Sequence, residues 1–278
     1  MIPLYDAHNH LHDHRLLEEL PDILSAMQDA RITHCVVNGT CESDWNRVLD
    51  LARANPGLIL PSIGLHPWKI SSRSDDWLER MTSAIASDPG SVYIGECGLD
   101  RWIHNPNIEE QKEVFVSQLT LAAEYNLPIS VHCLKAWGPL LDILKKNHRP
   151  DRGFLLHSYG GSAELVPELV DLGAYFSFSG YFLRENKEGV REAFRRIPAH
   201  RVMVETDAPD MLPPENYRRY SVKNSGTGPL NHPANLLSVM EGLAKILEIE
   251  ESQLRSLISK NFHSFFPVKP SSTKSSTK

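Results

Sequence analysis

Two rhythms of apolar residues alternate along the chain. Short runs rich in β-branched and aromatic residues predict strands at residues 4–8, 34–39, 58–65, 92–96, 129–132, 154–157, 175–179 and 202–205. Between them, apolar residues return every three or four positions. This predicts helices at 16–30, 43–55, 77–87, 109–125, 138–147, 163–172 and 188–196. The segment 109–125 shows the rule: Phe115, Leu119 and Ala122 form one stripe, while Glu113, Ser117, Thr120 and Glu124 fall on the other side. Strands alternating with helices imply parallel pairing with right-handed crossovers. Eight such units favour a closed (β/α)8 TIM barrel, with an open doubly wound sheet as the competing architecture. The length of 278 residues suits a barrel, which typically needs ~250.

After the eighth strand, residues 208–233 are rich in Pro and Gly and predict a long loop over a site. Two closing helices are expected at 234–247 and 251–262. We expect a single catalytic barrel domain over 1–268 and a disordered low-complexity tail over 269–278.

Charge narrows the partners. With 29 Lys+Arg against 35 Asp+Glu, the net charge of −6 argues against a broad basic surface for nucleic acid. A polyanion held locally by bound cations stays compatible with it. No apolar run reaches the ~18 residues of a membrane span, and the first residues carry no secretory pattern. The four cysteines, Cys35, Cys41, Cys97 and Cys133, have no CxxC spacing. They read as reduced thiols, and a cytoplasmic location is expected.

Thirteen histidines stand out. His8 and His10 lie two apart, so on a strand they share a face. Glu96 is read at the end of the fourth strand, His132 and His157 end the fifth and sixth, and Asp207 follows the eighth. In a barrel these strand ends converge on one rim. Apolar strands that end repeatedly in imidazole or carboxylate predict a centre for divalent metal. Four imidazoles and two carboxylates exceed what one catalytic zinc uses. Two ions bridged by one carboxylate account for the surplus; Mg²⁺, Zn²⁺ or Mn²⁺ suit the mixed N/O set.

The ordered segments 6–11 (DAHNHL), 64–67 (GLHP), 94–100 (IGECGLD), 157–161 (HSYGG), 175–180 (YFSFSG) and 205–209 (ETDAP) resemble the TatD-type metal-dependent deoxyribonucleases. Asn231-His232-Pro233 and Asn261 also sit where that family has recurring residues. The resemblance implies an amidohydrolase-like TIM barrel, a divalent-metal pair and phosphodiester hydrolysis with DNA as substrate. It implies that His8, His10, Glu96 and Asp207 hold one metal, and that Glu96 bridges to a second held by His132 and His157. The chain departs from the family at two places: His12 stands where Asp or Asn is usual, and Leu134 where the fifth-strand motif carries Arg. Lys135 beside it offers charge without a planar fork.

On this reading Asp207 accepts the proton of an attacking water, and Glu96 and Asp207 are the catalytic carboxylates. His66 and Lys135 are the candidate substrate contacts, and Glu205 is a buried acceptor fixing a ligand imidazole. The alternative is the same metal pair acting on an amide, lactone or aminoacyl ester. No protein partner is expected.

Overall fold

The computed structural model describes residues 2–88, 90–223 and 228–268; the expected disordered tail at 269–278 lies outside the described residues. Eight parallel strands form one sheet in sequence order: β1 (Leu4–Asn9), β2 (Ile32–Asn38), β3 (Ile59–Ile63), β4 (Tyr93–Asp100), β5 (Ile129–Leu134), β6 (Phe154–Leu156), β7 (Ala174–Ser179) and β8 (Val202–Glu205). A helix follows each strand: α1 (Leu20–Asp29), α2 (Glu42–Ala54), α3 (Trp77–Ser87), α4 (Ile108–Glu124), α5 (Trp137–Lys146), α6 (Val166–Asp171), α7 (Glu188–Arg196) and α8 (Leu236–Leu247). The last helix, α9, spans Glu251–Phe265. This is a (β/α)8 barrel. Among the described residues no helix is long and apolar enough to cross a membrane.

The barrel closes between β8 and β1 through a short seam just beyond the strand ends. The Asp207 amide donates to the His8 carbonyl at 3.0 Å, and the His10 amide to the Ala208 carbonyl at 2.7 Å. Below them the buried Asp6 carboxylate accepts from the Thr206 amide at 3.0 Å and its hydroxyl at 2.5 Å. A side chain thus completes a seam that backbone pairing alone leaves short.

Layering of the interior follows the two-residue period of the strands. Tyr5, Val36, Tyr93, Leu155, Tyr175 and Met203 form an apolar floor, closed beneath by Phe262, Phe265 and Phe266 of the C-terminal segment. Two residues further along β2, β3, β7 and β8 come Asn38, Ser62, Ser177 and Glu205, joined by Ser130 of β5, all buried and polar. The barrel is therefore apolar below and polar just under its mouth.

Several boundaries differ from expectation for one reason. A helix cannot run through a proline that lacks an N–H donor. The predicted 16–30 helix is a 3₁₀ turn (His14–Glu19) followed by α1, with Pro21 in its first turn. Pro167 divides the predicted 163–172 helix in the same way. The larger correction concerns β4. Glu96 is not its end; the strand continues to Asp100, with an irregularity in its pairing to β5 between Ile94 and Cys97. Gly98 makes the continuation possible. Its φ is +140°, and a Cβ there would lie 2.0 Å from the His132 carbonyl oxygen.

Candidate metal centre

At the mouth, Glu96 stands among five imidazoles. Its Oε2 lies 3.5 Å from His8 Nε2 and 3.2 Å from His10 Nε2. Its Oε1 lies 3.0 Å from His132 Nδ1, 2.8 Å from His157 Nε2 and 3.2 Å from His66 Nε2. Asp207 Oδ1 approaches His8 Nε2 at 3.6 Å and His10 Nε2 at 3.4 Å. All six residues expected as metal ligands therefore meet at one point, with His8 stacked on His157 at 4.0 Å between ring centroids. Among the described residues, three groups bring candidate ligand atoms within 4.8 Å of one another: His8–Glu96–His157, His8–His10–Asp207 and His66–Glu96–His132.

The hydrogen bonds behind these rings decide which nitrogen is available. His10 Nδ1 lies 2.7 Å from the Asn38 carbonyl oxygen, which only accepts; Nδ1 therefore carries the proton and Nε2 the lone pair. His132 Nε2 lies 3.1 Å from Asp100 Oδ2, so its lone pair is on Nδ1. Neutral, both rings point lone pairs at carboxylate oxygens 3.0–3.4 Å away. Such an arrangement is repulsive unless a proton or a cation lies between. His8 Nε2 and Asp207 Oδ1 are also buried without a hydrogen-bond partner, which is costly without a counterpart. The donor set thus fits divalent cations.

His66 differs. Its Nδ1 accepts from the Trp68 amide at 3.1 Å. The proton of the neutral ring is then on Nε2, where it faces Glu96, so this nitrogen is a donor and not a ligand. Burial pushes its pKa down to about 4, which keeps the ring neutral.

Without a cation, protons take that place. Burial disfavours charge on His10 and His157, but for His10 the facing carboxylates of Asp207 and Glu96, and for His157 the charges of Glu96 and Glu205, outweigh it. Both are held well above the usual imidazole range. Burial likewise opposes ionisation of Glu96, yet the surrounding imidazoles, His157 and His66 foremost, hold its carboxyl well below the ordinary value. Glu205 is fully buried, accepts the hydroxyls of Ser158 and Ser177, and lies 3.7 Å from His157 Nδ1.

Support comes from side chains to which the sequence reading gave no role. Asp100 Oδ2 accepts from Trp68 Nε1 at 2.7 Å as well as facing His132, and its Oδ1 accepts the Trp102 amide at 2.5 Å. Burial opposes its charge, but these donors, His132 first, hold its carboxyl below the usual range. Gln111 and Gln118, seven residues apart on the buried side of α4, clamp the backbone of Asp100 and of Leu65 respectively. Ser130 Oγ meets His8 Nδ1 at 2.8 Å. Lys135, Ser158 and Asp207 all follow strand ends and all have left-handed φ (55°, 42° and 53°), a cost that the surrounding structure sustains at the mouth.

The cavity above Glu96 has a volume of about 660 Å³ and is lined by His12, Thr40, Arg47, Trp68, Leu134 and Met211 besides His10, Glu96, His132, His157 and Asp207. His66 lines it as expected; Lys135 does not. The Lys135 ammonium sits 3.9 Å from the centre of the Trp102 ring, because its left-handed backbone and the indole draw it off the mouth. His12 is buried, with Nε2 3.4 Å from Asp44 Oδ2.

The family model described as "TatD related DNase" matches residues 5–267. The chain is 29% identical over 266 residues to an uncharacterized metal-dependent hydrolase, YabD, of Bacillus subtilis, covering 95% of this chain and 99% of that one. It is also 29% identical over 266 residues to the 3′-5′ ssDNA/RNA exonuclease TatD of Salmonella typhimurium, with the same coverage. The crystal structure of YjjV, a TatD homologue of Escherichia coli K12, superposes with a TM-score of 0.86 at 26% identity, covering 96% of this chain and 98% of that one.

Proposed function

Since the chain belongs to the TatD-related DNase family and is a metal-dependent hydrolase, we propose that it cleaves phosphodiester bonds at the ends of unpaired nucleic acid. A pair of divalent ions is proposed at the barrel mouth. One is held by His8, His10 and Asp207, the other by His132 and His157, with one Glu96 oxygen turned to each group. The observation that carries this reading is the set of imidazole lone pairs aimed at carboxylate oxygens in a buried pocket. Bound divalent ions supply a water of lowered pKa and neutralise charge on phosphate oxygens.

The chain's own groups then have distinct tasks. Asp207, whose Oδ1 faces His8 and His10, accepts the proton of the attacking water through its other carboxylate oxygen. His66, neutral with its Nε2–H facing the centre, donates to a phosphate oxygen or to the leaving oxygen. Glu205 and Asp100 stand behind His157 and His132 and hold those rings in orientation. The 3′-5′ exonuclease activity named for the Salmonella relative supports an end-directed reaction here.

Leu134 supports a second reading. It lines the cavity, 36% exposed, where the family motif carries a guanidinium, and an apolar wall suits an amide, lactone or aminoacyl ester. A panel of single-stranded DNA, RNA and small esters and amides, with Mg²⁺ or Mn²⁺, separates the two. Nucleotide release from DNA or RNA that Asp207→Asn abolishes is expected. Turnover of small esters or amides without nucleotide release selects the second reading.

A further inference from the structure

Trp68 is 55% exposed, an unusual position for so large an apolar ring. It is nevertheless fixed in place. Its Nε1–H donates to Asp100 Oδ2 at 2.7 Å, and its ring packs edge-on against His66 at 5.2 Å. It lines the same cavity as Glu96, beside the His66 donor. An exposed indole that is pinned, not mobile, loses little entropy on stacking against a planar group. The carboxylate that pins it also faces His132, so the ring and that proposed metal ligand share one anchor.

From these observations we infer that Trp68 is the stacking platform for an unpaired nucleobase next to the bond being cut, and that Asp100 ties this platform to His132. The inference rests on the nucleic-acid reading above and assigns to it a residue and a selection rule. Bases in a duplex already have both faces stacked, so only an unpaired base presents a face to the indole. A neighbouring cation, Lys69, lines the same wall and suits the adjoining phosphate. Trp68 on this account is a positioning residue for the substrate.

The test uses the full chain in EDTA, so that binding is read without turnover. Fluorescence anisotropy follows a labelled single-stranded 12-mer, and a second 12-mer whose last two nucleotides at each end lack bases. Trp68→Leu is expected to weaken binding of the intact strand by roughly five- to a hundred-fold. It should leave the base-free-ended strand within twofold of the unsubstituted protein. Trp68→Phe, which keeps a ring but loses the bond to Asp100, should retain most of the affinity. A purely structural role would weaken both strands alike, and that result overturns the inference, as does equal binding of the intact strand by Trp68→Leu and the unsubstituted protein. If the unsubstituted protein, given Mg²⁺ or Mn²⁺, cleaves the intact strand while Trp68→Leu matches it in binding and cleavage, only the platform fails. If it neither binds nor cleaves either strand, the nucleic-acid reading fails with it.

Discussion

Replacing Asp100 by Asn removes one charge and changes almost no volume, which makes it a clean probe of how His132 is oriented. In the native arrangement one carboxylate takes three donors: His132 Nε2 at 3.1 Å, Trp68 Nε1 at 2.7 Å and the Trp102 amide at 2.5 Å. An amide has only one oxygen. If that oxygen keeps Trp68 and His132, the NH₂ faces the Trp102 amide donor against donor and that bond is lost, while the bond from His132 goes to a neutral acceptor in place of a charged one, a loss of about 1 kcal/mol for the His132 bond. If the NH₂ faces His132 instead, the ring must accept on Nε2. The proton then moves to Nδ1, where it blocks the nitrogen that points at Glu96. Either outcome weakens the proposed metal position at His132, and we expect a 5–100-fold loss, about 1–2.8 kcal/mol. Competition of Mn²⁺ or Zn²⁺ against a chromophoric chelator measures it. Because the effect runs through His132, adding Asp100→Asn to His132→Ala should cost nothing further. Metal affinity within twofold of the unsubstituted protein, or full additivity in the double variant, refutes the argument.

Three other outcomes follow from the geometry. Gly98→Ala places a methyl 2.0 Å from the His132 carbonyl oxygen at a φ of +140°; urea unfolding should show a loss of at least about 2 kcal/mol, whereas Gly189→Ala, with open space around it, should stay within about 1 kcal/mol. His10 and His157 are held well above the usual imidazole range, so at neutral pH cations displace protons from the site. Metal affinity should therefore rise with pH, and calorimetry in buffers of different ionisation enthalpy should show proton release; affinity flat between pH 6 and 8 would contradict this. His232 caps a turn by accepting the Ala234 amide, and burial pushes its pKa from 6.5 down to about 4. The unfolded chain binds this proton more readily, so the cap's stability is complete above about 6.5 and is lost as pH falls toward 4. Relative to His232→Asn, the native protein should lose up to about 3 kcal/mol across that window in chemical denaturation; parallel pH profiles would exclude it.

Much of the architecture was legible because eight apolar runs and the helical stripes between them reflect local burial. α3 and α7 begin and end where periodicity places them. The positions that converge at the mouth were legible for a related reason: an apolar strand ending in His or Asp conflicts with its own pattern. What stayed hidden depends on contacts distant in sequence. β4 runs past Glu96 only because Gly98 lets β5 come close, and one sequence shows a glycine without its neighbour. Asp100 reads as the polar end of a motif until His132, 32 residues later, is seen against it. Gln111 and Gln118 look like ordinary polar positions of an amphipathic helix, yet both are buried and clamp backbone at the mouth. For Lys135 the sequence shows a charge, but its direction depends on a left-handed backbone and the Trp102 ring.

The seam between first and last strands carries a consequence for biosynthesis. Asp6 and Thr206 are 200 residues apart, and the Asp207 amide donates to the His8 carbonyl across the same join. At ribosomal speeds of about 5–20 residues per second, the amino-terminal histidines wait roughly 10–40 s for their partners to emerge. A nascent or stalled product that ends before the eighth strand therefore lacks Asp207 beside its histidines, and the mouth is assembled only once that strand has been made.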